Sequence, residues 1–259
     1  MAGSAVPPEL GIAEILRLKY GDPPTGWGPL LRRRFGYRTP DDLYEAQVSA
    51  LVAPGSSWAD IGCGHELFPS NKPLARLLAD RAGLLVGVDP DETLEENPYV
   101  HRKVRALLTD FRPEQPFDLV TLRMVAEHIP DPEAAARALA GMVRPGGTVL
   151  IYTVNLWAPV SLIAKCVPFG LHHPLKKLLW RTDEKDTFPT YFRMNTRQRL
   201  AQLLGAHGLR ETGFHYLDDC RTLQRFKLLN GLELSIWRAL SALGLHYPET
   251  CLLGLYRRD

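Results

Sequence analysis

The chain has 259 residues, 45% of them hydrophobic and 23% charged, enough for one large domain or one domain with an appended cap. Its net charge of +2 makes no case for a nucleic-acid partner. The N-terminus lacks a basic start followed by an apolar run, and no uncharged apolar stretch reaches the roughly 18 residues of a membrane span, so the expectation is a cytoplasmic protein with no integral membrane segment.

Residues 1–40 are rich in Gly, Pro and Arg, hold six Lys/Arg against three Asp/Glu, and carry a weak helical pattern over 8–20. Within them "LRRRFGYR" (31–38) suggests an arginine-lined mouth for a carboxylate or phosphate, the plainer alternative being a solvated basic turn. "TPDDLYEAQVSALV" follows, with Thr39 or Asp41 placed to cap a helix whose apolar face holds Leu43, Ala46 and Leu51. Four short apolar runs then read as strands: 57–62, 84–89, 117–124 and 147–154, with a further short strand expected within 104–111. Between them lie helical stretches, "NKPLARLLADRAG" and "DPEAAARALAGMVRPGG", the second with Asp131 as cap and Pro132 at its first position.

Strands alternating with helices in units of this length predict parallel strands joined by crossovers, and hence a doubly wound α/β sheet that binds ligands at the carboxyl ends of its strands. Residues 155–200 break the alternation with prolines, aromatics and basic clusters, and read as a cap over those strand ends. A helix over 196–211, a strand at 214–219, a helix near 222–243 and a strand at 251–258 close the chain. The predicted organisation is an N-terminal lid over 1–40 and a main domain over 41–259 with a cap insertion at 155–200. Cys63, Cys166, Cys220 and Cys251 form no CxxC pair and no metal spacing, so free thiols and no metal are expected.

The chemistry concentrates in "WADIGCGHELFPSN" (58–71). A strand that ends at Asp60 and turns through Gly62 and Gly64 lets backbone approach a ligand closely, and the following helix points its amide dipoles at the same place. Asp89 ends the next strand, where an acid suits ribose hydroxyls. A dinucleotide loop would want glycine at 67, where this chain has Leu67, and a carboxylate at 60 would repel a pyrophosphate. That carboxylate suits an ammonium group instead, which points to S-adenosylmethionine.

Taken in order, "DIGCG", "VGVDPD", "LLTDF", "FDLVTLRMVAEHIPDP" and "MVRPGGTVLIYTVN" resemble the motifs of the class I S-adenosylmethionine-dependent methyltransferases, well over about 45–155 and loosely over 196–259. The resemblance implies a Rossmann-like, seven-stranded sheet of order 3-2-1-4-5-7-6 with the last strand antiparallel. It places Asp60, Gly62 and Gly64 at the methionine end of the cofactor and Asp89 on the ribose. Pro90, Asp110 and Phe111 fall beside the adenine, and Arg123, Met124 and His128 near the sulfonium and the acceptor. The family loop reads D-x-G-x-G-x-G, and this chain departs from it with Glu66 at the third glycine.

His128 is the candidate general base, with a structural histidine as the alternative, and Glu127 is read as fixing a loop. His172, Tyr191, Phe192 and Arg193 are candidate acceptor contacts. The stretch over 161–180 reads as a pocket lid, or as a surface for a membrane or a lipid-like acceptor. The expected activity is methyl transfer to a small acceptor, apolar or anionic, in secondary metabolism, with no nucleic acid involved. A nicotinamide-dependent oxidoreductase and a non-catalytic S-adenosylmethionine-binding protein remain alternatives.

Overall fold

The structure, a computed structural model, describes residues 10–158 and 189–259. Three helices lead: α1 (Ile12–Tyr20), α2 (Trp27–Phe35) and α3 (Pro40–Leu51). The sheet then unfolds in chain order as β1 (Ser57–Ile61), α4 (Lys72–Arg81), β2 (Leu84–Val88), β3 (Arg102–Val104), β4 (Phe117–Arg123), α5 (Pro132–Met142) and β5 (Val143–Val154). After the undescribed segment come α6 (Arg197–Gly205), β6 (Leu209–Asp218), α7 (Lys227–Ala242) and β7 (Glu249–Arg258).

The seven strands lie in the order β3-β2-β1-β4-β5-β7-β6. Neighbours from β3 to β5 pair in parallel, while β7 runs antiparallel to both β5 and β6. This is the expected order, with the expected antiparallel final strand. Alternation along each strand builds a core on each face. On β1, Ala59 and Ile61 join the cluster that holds Ala135 and Leu139 of α5 and Leu200 and Leu204 of α6. Trp58 faces the other way, among Tyr44 and Val48 of α3 and Leu74 and Leu78 of α4. Asp60 follows Trp58 by two and shares its face.

Helix ends follow the sequence signals. Thr39 and Asp42 form a capping box on α3, and Asn71 and Asp131 cap α4 and α5. α1 is fixed by charge. Lys19 Nζ donates to Asp42 at 2.9 Å and to Glu45 at 2.8 Å, and the Asn71 amide reaches Glu45 at 2.8 Å. Burial alone would lower the Lys19 ammonium, but Glu45 and Asp42 hold it above its usual range. One buried amine thus ties α1, α3 and the head of α4 together.

Four expectations need correction. Residues 27–35 form a helix, α2, rather than a basic turn; its Leu31 and Phe35, like Trp237 of α7, pack against the cluster of Tyr37, Cys220 and Leu234, and Tyr37 stacks edge-on to Trp237 at 5.0 Å. The third strand is Arg102–Val104, not 104–111, because a short charged segment suits the sheet edge; Leu108 instead enters the core from the loop beyond. α5 ends at Met142, ahead of its glycines, since Val143 already pairs with Phe117 as β5. β6 starts at Leu209, because Leu209 pairs with Arg258 and extends the ladder. Cys63, Cys220 and Cys251 are buried free thiols; Cys166 lies outside the described residues.

Candidate active site

β1 delivers Asp60 to its carboxyl end, 4% exposed, and the register sets it beside Thr121 of β4 and Gly87 of β2. The Trp58 indole N–H donates to Thr121 Oγ1 at 2.7 Å, and that hydroxyl spends its proton on Asp60 Oδ1 at 2.5 Å. Burial nevertheless dominates and pushes the Asp60 carboxyl up to about 7; Thr121 and Arg123 pull the other way, and Asp89 adds to the rise. Free Asp60 therefore sits on the edge of ionisation at neutral pH. A cation placed beside it would favour the carboxylate.

Gly62 turns the chain at φ +70°, and a Cβ there would stand 2.2 Å from Val125 Cγ2. Both conformation and space demand glycine. Gly64, at φ +47°, turns its amide toward Asp89 at the end of β2, which accepts at 2.9 Å. The second Asp89 oxygen accepts from the Asp91 amide at 2.9 Å. Asn97, buried in the turn after β2, donates to the Gly64 carbonyl at 3.0 Å. Asp60, Gly62, Gly64 and Asp89 are thus brought together at one end of the sheet.

The Glu66 question resolves locally. Its carboxylate pairs with Lys72 at 2.8 Å, at the first turn of α4. Leu67 and Phe68, next in the chain, are buried against α3, with Phe68 edge-on to Tyr44 at 6.2 Å. The loop therefore turns down into the core where a third glycine would have continued it.

The ends of β4 and β5 are organised differently. Met124 takes φ +54°, a costly conformation for a side-chain-bearing residue, and its amide donates to the Tyr152 carbonyl at 2.7 Å. A turn of 3-10 helix over Ala126–His128 follows. Glu127 is buried and accepts from Thr153 Oγ1 at 2.7 Å; burial pushes its carboxyl up. Its backbone carbonyl accepts from the amides of Tyr191 and Phe192 at 2.7 and 3.2 Å, and Phe192 itself sits at φ +52°. His128 Nδ1 lies 2.9 Å from the Pro189 carbonyl. A carbonyl can only accept, so Nδ1 carries a proton. Arg193 donates to the Pro130 carbonyl at 2.6 Å, and Asn195 donates to Thr153 and to the Val154 carbonyl. The segment 189–195 is thereby laid along the turn that carries Glu127 and His128.

Arg123 connects the two halves. It stands 3.8 Å from Asp41 on α3, and Asp41 also pairs with Arg221, which reaches Asp219 at 2.7 Å. Burial would raise the Asp41 carboxyl, but Arg221 and Arg123 outweigh it and hold it below its usual range.

Pro90 and Asp110 are exposed, whereas Phe111 packs into the core, 6.3 Å from the Phe117 ring. His172 lies outside the described residues. Sequence reading missed Asn97, Thr121 and the Arg123–Asp41–Arg221 chain. Thr121 carried a usable signal, since it is a polar residue between Val120 and Leu122 inside the strand run.

The family model for the methyltransferase domain matches residues 32–212. The chain belongs to that family. Its strand order is that of the class I S-adenosylmethionine-dependent methyltransferase fold. Among curated methyltransferases, the ubiquinone biosynthesis O-methyltransferase of Xanthomonas campestris is 38% identical over 143 residues, covering 49% of this chain and 58% of that one. The enzyme of the same name from Pseudomonas fluorescens is 34% identical over 137 residues, covering 46% and 56%. The chain thus spans less than two thirds of the length of these relatives. Among solved folds, an S-adenosylmethionine-dependent methyltransferase from Mesorhizobium loti superposes with a TM-score of 0.53 at 18% identity, covering 85% of this chain and 98% of that one. The N-methyltransferase NodS from Bradyrhizobium japonicum, in complex with S-adenosyl-L-homocysteine, gives 0.51 at 14% identity, covering 88% and 96%. Among the described residues no helix is long and apolar enough to cross a membrane.

Proposed function

We propose that this methyltransferase moves a methyl group from S-adenosylmethionine to a hydroxyl group of a small-molecule acceptor. The observation that carries the reading is the pairing of a buried Asp60 with an oriented Asp89 around the Gly62–Gly64 turn. The donor chemistry fits the cofactor. Asp60 offers a carboxylate to a cationic amino-acid tail. Each Asp89 oxygen holds one backbone amide and keeps acceptor capacity for a ribose hydroxyl. The bare Gly62 leaves backbone, not side chain, facing the ligand. A dinucleotide pyrophosphate would meet two carboxylates in the same place, which disfavours the nicotinamide alternative.

The bound sulfonium supplies an activated methyl group and a neutral thioether leaving group. The protein's part is positioning and proton handling. Asp60, Gly62, Gly64 and Asp89 hold the cofactor's methionine and ribose portions, and Pro90, Asp110 and Phe111 border the adenine. Arg123 and Met124 flank the reacting end. His128 accepts the acceptor's hydroxyl proton at Nε2, while Pro189 fixes its tautomer. Tyr191, Phe192 and Arg193 contact the acceptor. Of the expected covers, residues 1–9 and 159–188, with His172, lie outside the described residues. The hydroxyl assignment draws support from the O-methyltransferase names of the curated relatives and from a histidine held in one tautomer.

Calorimetric titration with S-adenosylhomocysteine and, separately, with NADH tests the cofactor assignment, and methyl transfer from labelled S-adenosylmethionine to a panel of phenols tests the reaction. Binding of S-adenosylhomocysteine with label in a phenolic ether is the expected result. Binding of NADH alone overturns the cofactor, and label appearing only in amines overturns the hydroxyl acceptor.

A further inference from the structure

Among the described residues, α7 carries a run of exposed apolar side chains. On α7, Leu228 is 87% exposed, Leu232 58% and Ile236 46%, and Leu243 just beyond the helix is 74% exposed. These positions follow one another at helical spacing and form a single stripe. The opposite side of the same helix is fully used. Leu234 is buried, Asn230 donates to the Cys220 carbonyl at 2.8 Å, and Glu233 accepts from Asn230 and from Tyr247. α7 is therefore firmly seated, and its outer stripe has no partner among the described residues.

The charge around the stripe is mainly positive, with Arg33 paired to the exposed Asp22 at 2.9 Å. Residues 27–38 carry Arg32, Arg33, Arg34 and Arg38 and no acid; residues 225–246 carry Arg225, Lys227 and Arg238, and their single acid, Glu233, is buried beneath the helix. α2 and α7 pack together over Tyr37, Cys220 and Leu234 and leave a groove of about 470 Å³ between them. Leu31, Phe35 and Leu228 line it, and Arg34, Lys227 and Arg238 stand exposed along it.

We propose that α7 and α2 dock the protein on an anionic phospholipid surface. An apolar stripe bordered by cations matches a bilayer interface, where acyl chains take the leucines and headgroups take the arginines and lysine. A second copy of the chain is a worse match, because a two-fold contact would set this cationic border against itself. The inference stands apart from the methyl-transfer reading, since none of these residues belongs to the candidate active site.

The test is cosedimentation of the full chain with vesicles of phosphatidylcholine alone and of phosphatidylcholine with one third phosphatidylglycerol. The protein should partition to the phosphatidylglycerol vesicles and leave them at high salt. Leu232→Glu should lower that partition at least tenfold with S-adenosylhomocysteine affinity and thermal unfolding unchanged. Arg34→Gln and Lys227→Gln, which keep the packed face intact, should each lower it about fivefold, the equivalent of about 1 kcal/mol per charge. Equal binding to both vesicles, no binding to either, or partition indifferent to all three substitutions overturns the proposal. So does a lipid-free dimer that Leu232→Glu dissociates.

Discussion

At the ends of β1 and β2 the candidate site consists of carboxylates and two glycines with positive φ, whereas at the ends of β4 and β5 it consists largely of backbone contacts. Asp60 and Asp89 present side-chain chemistry directly. By contrast, the segment from Pro189 to Asn195 is held by the carbonyls of Glu127, Pro130 and Val154, and one histidine ring leans on a carbonyl of that segment. The first region presents charge and tolerates no extra atom at Gly62. The second fixes the path of the chain and leaves the Arg193 guanidinium over the exposed Tyr191 ring at 5.7 Å. The proposed cofactor and acceptor ends would call for that division.

The largest effect should come from breaking the first region. Gly62→Ala places a methyl group 2.2 Å from Val125 at a left-handed φ. Strain and displacement together should destabilise the fold by about 3 kcal/mol and abolish S-adenosylhomocysteine binding, as read by urea denaturation and calorimetry. His128→Ala probes the second region. Loss of the base should lower kcat about a hundredfold with little change in cofactor affinity, checked by single-turnover kinetics; an unchanged kcat would reduce the histidine to a structural role. Glu127 should give a smaller effect that separates the regions most cleanly. Glu127→Ala strands the Thr153–Asn195 pair in the core and should cost about 2 kcal/mol, whereas Glu127→Gln should cost little. Both variants should shift acceptor KM more than cofactor Kd.

The two regions differed in how readable they were. The alternation of strands and helices, the caps at Thr39 and Asp131, and the Asp60–Gly62–Gly64–Asp89 group follow from local patterns of residue type, while the strand order came with the resemblance of the motifs to a known family. Backbone tethers leave no such pattern. Nothing in "PTYFRMN" announces that its amides belong to the Glu127 carbonyl, since that bond spans more than sixty positions and uses no side chain of its own. α2 was hidden for another reason: glycine, proline and three consecutive arginines read as a turn, and it is packing against Tyr37, Cys220 and Leu234 that stabilises the helix. Glu66 looked like an obstacle in sequence because its partner, Lys72, comes into reach only when the loop dives toward the core.

The account rests on Asp60 as a buried acid that ionises when a cation arrives. In the free protein its carboxyl lies near 7, above the roughly 4 of an unfolded aspartate. Its contribution to stability is therefore full below about pH 4 and is lost as pH rises through 7. Cofactor binding should reverse that cost by releasing a proton. The most direct measurement is calorimetric titration with S-adenosylmethionine near pH 7 in two buffers of different ionisation enthalpy. The account predicts net proton release, affinity that tightens as pH rises through about 7, and loss of both in Asp60→Asn. Binding without proton release, at an affinity that neither pH nor Asp60→Asn alters, would contradict it.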